Sequence, residues 1–288
     1  MIEIYLLEQL VAFARHGTLL RASEELHITQ PALSRNMKKL EEEFGVSLFH
    51  RENSKISLND NGKLAVEYAG RVLEDDQDMV DRVRLFDRAQ RTISIGACTP
   101  FPLWEIMPSI QNNFAGNAIT SEIADDSKLL DGLKTGYFQL IILHKKPDDS
   151  LYYIQRYLEE NLYVTLPESN PLSKRKSLSF SDLEGKTMLV NGNTGFWLNI
   201  VKKHLNPDHL LIQKDLNAMD ELVNESTLPF FNSDSMITQG YEIPGRVSIP
   251  LTDEDAHAIY YIVCLNAEKD RFRSVFNDAG ERVLRGKH

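Results

Sequence analysis

The sequence has little cysteine: Cys98 and Cys264 are two thiols in 288 residues, far apart and in no CxxC pair. A disulfide framework and a thiolate zinc knuckle are therefore not expected. There is also no apolar run near the roughly 18 residues that a membrane span needs. The opening MIEIYLLEQLVAF has neither the basic flank nor the small-residue cleavage site of a secretory signal, so the cytoplasm is the expected compartment and no membrane partner is expected. Enzyme signatures are missing too: no GxSxG elbow, HExxH or GxxxxGK[ST] loop occurs, and the 8 histidines form no spaced ligand cluster. Neither catalysis nor a metal or other cofactor is expected. Positive charge is short as well, with Lys+Arg 32 against Asp+Glu 42 and a formal net charge of −10. That sign repels polyanions at long range but leaves a local basic face open.

What is present is ordinary globular material, 42% hydrophobic and 26% charged, long enough for two domains. Up to about residue 90 the pattern is helical and densely charged; from Thr92 short β-rich runs alternate with helical ones. The expected fold class is α/β with a helix-rich N-terminal part. Leu6, Leu7, Leu10, Val11 and Ala14 predict a first helix over about 3–15, stopped by Gly17. Thr18 caps a second helix reaching Leu26, with Leu19, Ala22 and Leu26 as its buried stripe. Pro31 suits the first turn of a third, because its φ is already helical and its missing N–H would find no partner there. In that helix Leu33, Met37 and Leu40 must face inward, leaving Ser34, Arg35, Lys38 and Lys39 on or beside the outward face. Two strands, Ser47–His50 and Lys55–Leu58, are expected around a turn at Glu52–Asn53–Ser54. This order is a winged helix-turn-helix.

From Asn59 to about Arg88 the pattern is one helix of some 30 residues, capped by Asn59 or Asp60. Ala65, Ala69, Val72, Asp76, Met79, Val83 and Phe86 step like a coiled-coil seam that Asp76 interrupts. A second copy of the chain is the expected cover, and Asp76 either sets register or lies outside a shifted seam. Beyond Arg91 strands are expected at TISIGAC, AITSEI, Phe138–Leu143, NLYVTL, TMLV and 257–265, with helices between them, one near Leu103–Phe114 and a last one in DRFRSVFNDAGERVL. The alternation is that of an α/β region with material for two small lobes, and a cleft between such lobes usually binds a small molecule. The boundaries expected are 1–58, 59–90 and 91–288, with lobe I about 91–161 and 266–288 and lobe II about 162–265.

The segment FARHGTLLRASEELHITQPALSRNMKKLEEEFGVSLFHR resembles the LysR-type transcriptional regulators of bacteria. The likeness rests on Phe13, Gly17, Ala22, Leu26, Gln30-Pro31-Ala32-Leu33-Ser34, Leu40-Glu41, Gly45 and Leu48-Phe49-His50-Arg51. Further on, Met107-Pro108 and Asn170-Pro171-Leu172 look like the family's Leu-Pro and His-Pro-Leu. The chain departs from the pattern at Gln139, at Leu58-Asn59-Asp60-Asn61-Gly62, and at NESTLPFFNSDS, 224–235, where a glycine-rich segment is usual. The resemblance implies a DNA-binding winged helix-turn-helix, a dimerising linker helix, and an effector domain like a periplasmic binding protein. It implies dimers or tetramers, a double-stranded DNA operator, a small-molecule effector of unknown identity and, as for any transcription regulator, RNA polymerase as a further partner.

In helix-turn-helix docking the second helix enters the major groove by its N-terminal residues. Arg35 suits guanine, Gln30 adenine, and Pro31 or Ala32 a thymine methyl. Thr29, Ser34, Lys38 and Arg51 suit phosphates. Glu41, Glu42 and Glu43 are expected to turn away from DNA or to repel it. For the effector, Thr99, Pro100 and Phe101 follow the first strand, Ser127 stands at a strand-to-helix turn, and Asn193, Thr194, Phe196 and Trp197 open another helix, so polar groups lie among aromatics. The alternatives are that Thr99 and Thr194 cap helices, that Trp197 fills the core, and that the cleft is vestigial or binds a protein. Cys98 and Cys264 are expected to be buried hydrophobes rather than redox sensors.

The charge is uneven. Residues 1–91 hold 13 basic and 16 acidic side chains, and 92–288 hold 19 and 26. Between 15 and 39, however, five basic residues face only Glu24 and Glu25.

Overall fold

The structure, a computed structural model, describes residues 1–52, 55–240 and 243–285. The chain divides into two units, Met1–Arg84 and Leu85–His288.

The first unit opens with α1 (Ile4–His16), α2 (Leu19–Glu25) and α3 (Gln30–Phe44). Gly17 ends α1 at φ +70°, where a side chain would be strained. Thr18 accepts the Arg21 amide at the start of α2, and Thr29 accepts the Ala32 amide at the start of α3. Leu6, Leu10, Phe13, Ala22, Leu33, Met37 and Leu40 close into one core, each no more than 1% exposed. Two short antiparallel strands follow, β1 (Phe49–Glu52) and β2 (Lys55–Leu58), in the register Phe49 to Leu58. The first starts two residues later than the sequence suggests. Of the expected turn, Asn53 and Ser54 lie outside the described residues.

Next comes α4 (Asp60–Arg91), whose Gly62 amide donates to Asn59 Oδ1 at 2.8 Å. Gly62 is required by close approach: a Cβ there would stand 2.2 Å from the Leu48 carbonyl oxygen. The apolar stripe of α4 differs from the expected seam. Ala65 and Ala69 are buried in the core of the first unit, whereas Leu64 and Tyr68, one position earlier in each case, are exposed. Val72, Met79, Val83 and Phe86 continue the exposed stripe, from 42% to 70% exposed. Small residues were recruited inward because they let the helix lie close to its own domain.

The second unit is built from β3 (Thr92–Ala97), α5 (Pro100–Asn113), β4 (Ala118–Ile123), α6 (Asp126–Thr135), β5 (Leu140–Leu143), β6 (Tyr152–Pro167), β7 (Met188–Asn191), α7 (Phe196–His204), β8 (Leu210–Gln213), α8 (Leu216–Glu225), β9 (Phe230–Ser233), α9 (Asp234–Thr238), β10 (Arg246–Pro250), β11 (His257–Leu265) and α10 (Arg273–Arg285). The strand order is β4-β3-β5-β11-β6-β9-β7-β8, with β10 also on β6. Parallel pairs β3–β4, β3–β5 and β7–β8 sit at the two ends, as βα alternation requires. The 16-residue β6 joins the halves. Its first part pairs with β11 and its last part with β9 and β10. Only its end, NLYVTL, is foreseen from the sequence. β11 pairs with β5 and the start of β6, so it belongs with the first half of the sheet, not at the end of the second lobe. Among the described residues no helix is long and apolar enough to cross a membrane.

Candidate functional sites

In the first unit, α3 buries one face completely and exposes the other at its start. Thr29, Gln30, Pro31, Arg35 and Lys38 are exposed and Ser34 is half-buried. Arg35 and Lys38 make no ion pair among the described residues, so a strong planar donor and a point charge face solvent side by side. The Thr29 hydroxyl oxygen accepts the Ala32 amide at 3.3 Å, which leaves its O–H to donate elsewhere. Lys39 is engaged elsewhere, donating to Glu3 Oε2 at 2.5 Å with its ammonium over the Tyr5 ring. The hydrogen bond to Glu3 raises its pKa.

The wing is fastened by a residue that sequence reasoning turned outward. Glu41 Oε1 accepts the Leu48 amide at 2.9 Å, the Phe49 amide at 3.1 Å and the Ser47 hydroxyl at 3.1 Å, while Arg51 donates to its other oxygen at 2.7 Å. Burial pushes this carboxyl up, but the Leu48, Ser47 and Phe49 hydrogen bonds and the Arg51 charge outweigh it, so its pKa lies below the ordinary value. Glu41 is therefore the clasp between α3 and the wing rather than a repelling charge. Arg51, expected on phosphate, is 39% exposed at its side chain and held in place by Glu41. Asn36 donates to the buried Gln9 at 2.9 Å and fixes the inner edge of α3 against α1.

In the second unit, some of the residues expected around an effector contact one another or the end of β3. The Phe196 amide donates to the Cys98 carbonyl at 3.0 Å, and the Thr99 hydroxyl donates to the Thr194 carbonyl at 3.1 Å. Thr99 is buried and makes no side-chain cap to α5. Gly195 permits this junction: φ is +62°, and a Cβ would lie 2.0 Å from the Cys98 carbonyl oxygen. Phe196 stacks on His144 at 4.1 Å and leans on Trp197 at 4.4 Å. Trp197 is core, 4% exposed.

Below these rings lies Glu160, 3% exposed, which accepts from Trp197 Nε1 at 2.8 Å, Tyr260 Oη at 2.5 Å and Ser235 Oγ at 2.9 Å. Three neutral donors thus satisfy one buried carboxylate, the condition under which such a group is tolerated. Burial, then the Glu160 charge, pushes the Tyr260 hydroxyl well above its ordinary pKa. Ser235 comes from the atypical 224–235 segment, whose later part, from Pro229, is packed inside while Asn224, Glu225 and Thr227 are exposed.

The remaining candidates are more peripheral. Pro100 and Phe101 are half-buried in the first turn of α5. Exposed Ser127 donates to Asp125, and exposed Asn193 donates to the Lys214 carbonyl. A cavity of about 580 Å³ between Thr165, Ile237, Arg246 and Ser248 is lined by none of the eight effector candidates. Cys98 and Cys264 are both buried and free. Burial raises the Cys264 thiol to about 12 and, with the charges of Asp126 and Glu160, lifts the Cys98 thiol well above its ordinary value.

The family description "Bacterial regulatory helix-turn-helix protein, lysR family" matches residues 4–63, and "LysR substrate binding domain" matches 87–274. The RuBisCO operon transcriptional regulator of Allochromatium vinosum is 24% identical over 182 residues, 62% of this chain and 60% of that protein. The hydrogen peroxide-inducible genes activator of Pectobacterium carotovorum is 28% identical over 191 residues, 64% and 62% of the two chains. The aligned part thus spans about 60–64% of the length of such relatives. Among solved structures, full-length OxyR from Pseudomonas aeruginosa has a TM-score of 0.52 at 22% identity, covering 97% of this chain and 99% of that one. Full-length BenM has a TM-score of 0.52 at 22% identity, covering 99% and 98%. These likenesses show a shared fold, and the relatives named are regulators rather than enzymes. With both of its family domains matched in order along most of its length, the chain belongs to the LysR family of bacterial regulatory helix-turn-helix proteins.

Proposed function

We propose that this chain is a sequence-specific, double-stranded-DNA-binding transcription regulator of the cytoplasm, controlled by a small molecule bound to its second unit. The observation that carries the reading is the start of α3. Gln30, Pro31, Ser34, Arg35 and Lys38 lie along about two and a half turns of a helix whose opposite face is completely buried, so their positions are fixed while Arg35 and Lys38 have no ion partner among the described residues. Arg35 is placed to read a base edge, and Lys38 and Arg51 to meet phosphates.

The exposed stripe Leu64, Tyr68, Val72, Met79, Val83 and Phe86, broken only around Asp76, supports a homodimer through α4, since a lone helix does not keep six large apolar side chains on one face in water. A dimer also places two recognition helices on two half-sites, and pairs of dimers extend this to a tetramer. RNA polymerase is the partner through which such a regulator would act.

The test is an electrophoretic mobility shift with the promoter next to the chain's own gene. Retarded bands that survive competitor DNA support the reading, and their absence at low salt overturns it. One observation favours a second reading of the effector region, in which the cleft takes no small molecule. The Thr99 hydroxyl, the Phe196 amide and the Trp197 indole are all spent on protein partners. A thermal-shift screen against metabolites separates the two: a stabilising ligand supports control by an effector, and none supports the closed cleft.

A further inference from the structure

Three side chains carrying metal-binding atoms meet in the second unit and have no part in the reading above. Cys98 follows β3, Asp126 opens α6 after β4, and His144 follows β5. Since β4, β3 and β5 are adjacent and parallel, all three groups stand at the carboxyl ends of neighbouring strands, where open α/β sheets leave room for ligands. The Cys98 sulfur, an Asp126 oxygen and a His144 ring nitrogen lie within 4.8 Å of one another.

We propose that Cys98, Asp126 and His144 form a binding site for a borderline-soft divalent transition-metal ion of the Zn²⁺ class, with a fourth position open to water or a small anion. The donor set decides the class. One sulfur, one imidazole nitrogen and one carboxylate oxygen suit Zn²⁺ or Co²⁺, whereas Mg²⁺ and Ca²⁺ require oxygen shells. Around a tetrahedral ion with bonds of about 2.0–2.3 Å, donor atoms stand roughly 3.3–3.8 Å apart, so closure asks only for small side-chain rotations.

The sulfur ligates as thiolate, so the thiol proton leaves to solvent when the ion binds. Access and orientation are provided as well. Asp126 and His144 are 21% and 19% exposed at their side chains, so an ion reaches buried Cys98 between them. The stacked Phe196 ring holds the imidazole plane, and the 3.1 Å contact from His144 Nδ1 to Asp126 is the hydrogen bond that the ion replaces. Phe196 also donates its amide to the Cys98 carbonyl, so metal binding would tighten the junction with α7.

The experiment is a Co²⁺ titration of the full-length chain, kept reduced with a non-chelating phosphine and followed by absorption. The expected result is a thiolate-to-cobalt band in the near-ultraviolet with intense tetrahedral visible bands, saturating at one equivalent per chain and bleached by Zn²⁺. Cys98→Ser should abolish the near-ultraviolet band, and Cys264→Ser should leave it intact. His144→Gln and Asp126→Asn keep the thiol and should each weaken Co²⁺ binding roughly tenfold or more. These two half-exposed positions carry the test if the Cys98 variant fails to fold. Absence of the band in a large excess of Co²⁺, its persistence in Cys98→Ser, its loss in Cys264→Ser, or unchanged affinity in both His144→Gln and Asp126→Asn would overturn the proposal.

Discussion

Replacing Glu41 by alanine tests the clasp between α3 and the wing. The substitution removes the acceptor of the Leu48 and Phe49 amides, which belong to residues only 1% and 4% exposed, and leaves Arg51 without its partner. An amide left buried without a partner costs about 1–3 kcal/mol. Because the Glu41 side chain is itself 17% exposed, water can replace part of the loss, and a total near 2 kcal/mol is expected. At about 1.4 kcal/mol per factor of ten, local opening of the wing becomes roughly thirtyfold more frequent. Tryptophan fluorescence would miss it, since both tryptophans, Trp104 and Trp197, are in the second unit. Hydrogen exchange by mass spectrometry on peptides covering 45–52 is the suitable assay, with Glu41→Gln as an intermediate case that keeps one acceptor oxygen. Protection within twofold of the parent chain in Glu41→Ala would refute the reasoning. The same clasp sets a pH dependence. A carboxyl whose folded pKa lies below its unfolded value contributes stability above the unfolded pKa and loses it as pH falls through the folded one. Wing protection should therefore hold at neutral pH and decline on acidification below the ordinary glutamate range.

Arg35→Ala should cost about 1–3 kcal/mol of binding to the specific site and relax base preference at one position, whereas Lys38→Ala should weaken all duplexes alike and reduce the salt slope, as competition binding would show. Met79→Lys with Phe86→Lys places two charges on the exposed stripe of α4 and, for the proposed dimer, should reduce the sedimentation mass to that of one chain; an unchanged oligomeric mass would remove this helix from its interface. Gly195→Ala forces a Cβ to within 2.0 Å of the Cys98 carbonyl oxygen at a φ that disfavours side chains. It should destabilise the second unit by about 1–3 kcal/mol from backbone strain alone and so lower its thermal midpoint, with tryptophan emission as the reporter.

Much of the first unit is legible in the sequence because its signals are local. Thr29 before Pro31, Gly17 and Gly45 after apolar periods, and the Leu33–Met37–Leu40 stripe each specify their own neighbourhood. What could not be read depends on distant partners. Glu41 looks like one of three solvated glutamates until the wing returns seven residues later with two amides that need an acceptor. Glu160 sits in the charged pair Glu159–Glu160, which breaks the apolar run and hides the first nine residues of β6. Its donors come from positions 197, 235 and 260, which no local pattern joins. The start of the α4 seam departs for a related reason: Ala65 and Ala69 fit a heptad, but the core of their own unit takes small residues first, which turns Leu64 and Tyr68 outward, while Val72, Met79, Val83 and Phe86 stay exposed. In the second unit Thr99 meets Thr194 and Phe196 meets Trp197, whereas Ser127 and Asn193 bond to Asp125 and Lys214, partners that no local pattern names.

The most direct test of the account is the salt dependence of affinity for the promoter duplex against a scrambled duplex of equal length. Arg35 carries the base reading and Lys38 and Arg51 meet phosphates, so the account predicts preference for the promoter and an affinity that falls with salt in proportion to the phosphates neutralised. It also predicts that Arg35→Ala loses the preference but keeps the slope. Equal affinity for both duplexes, or a slope near zero, would contradict the assignment of α3 as the reading element.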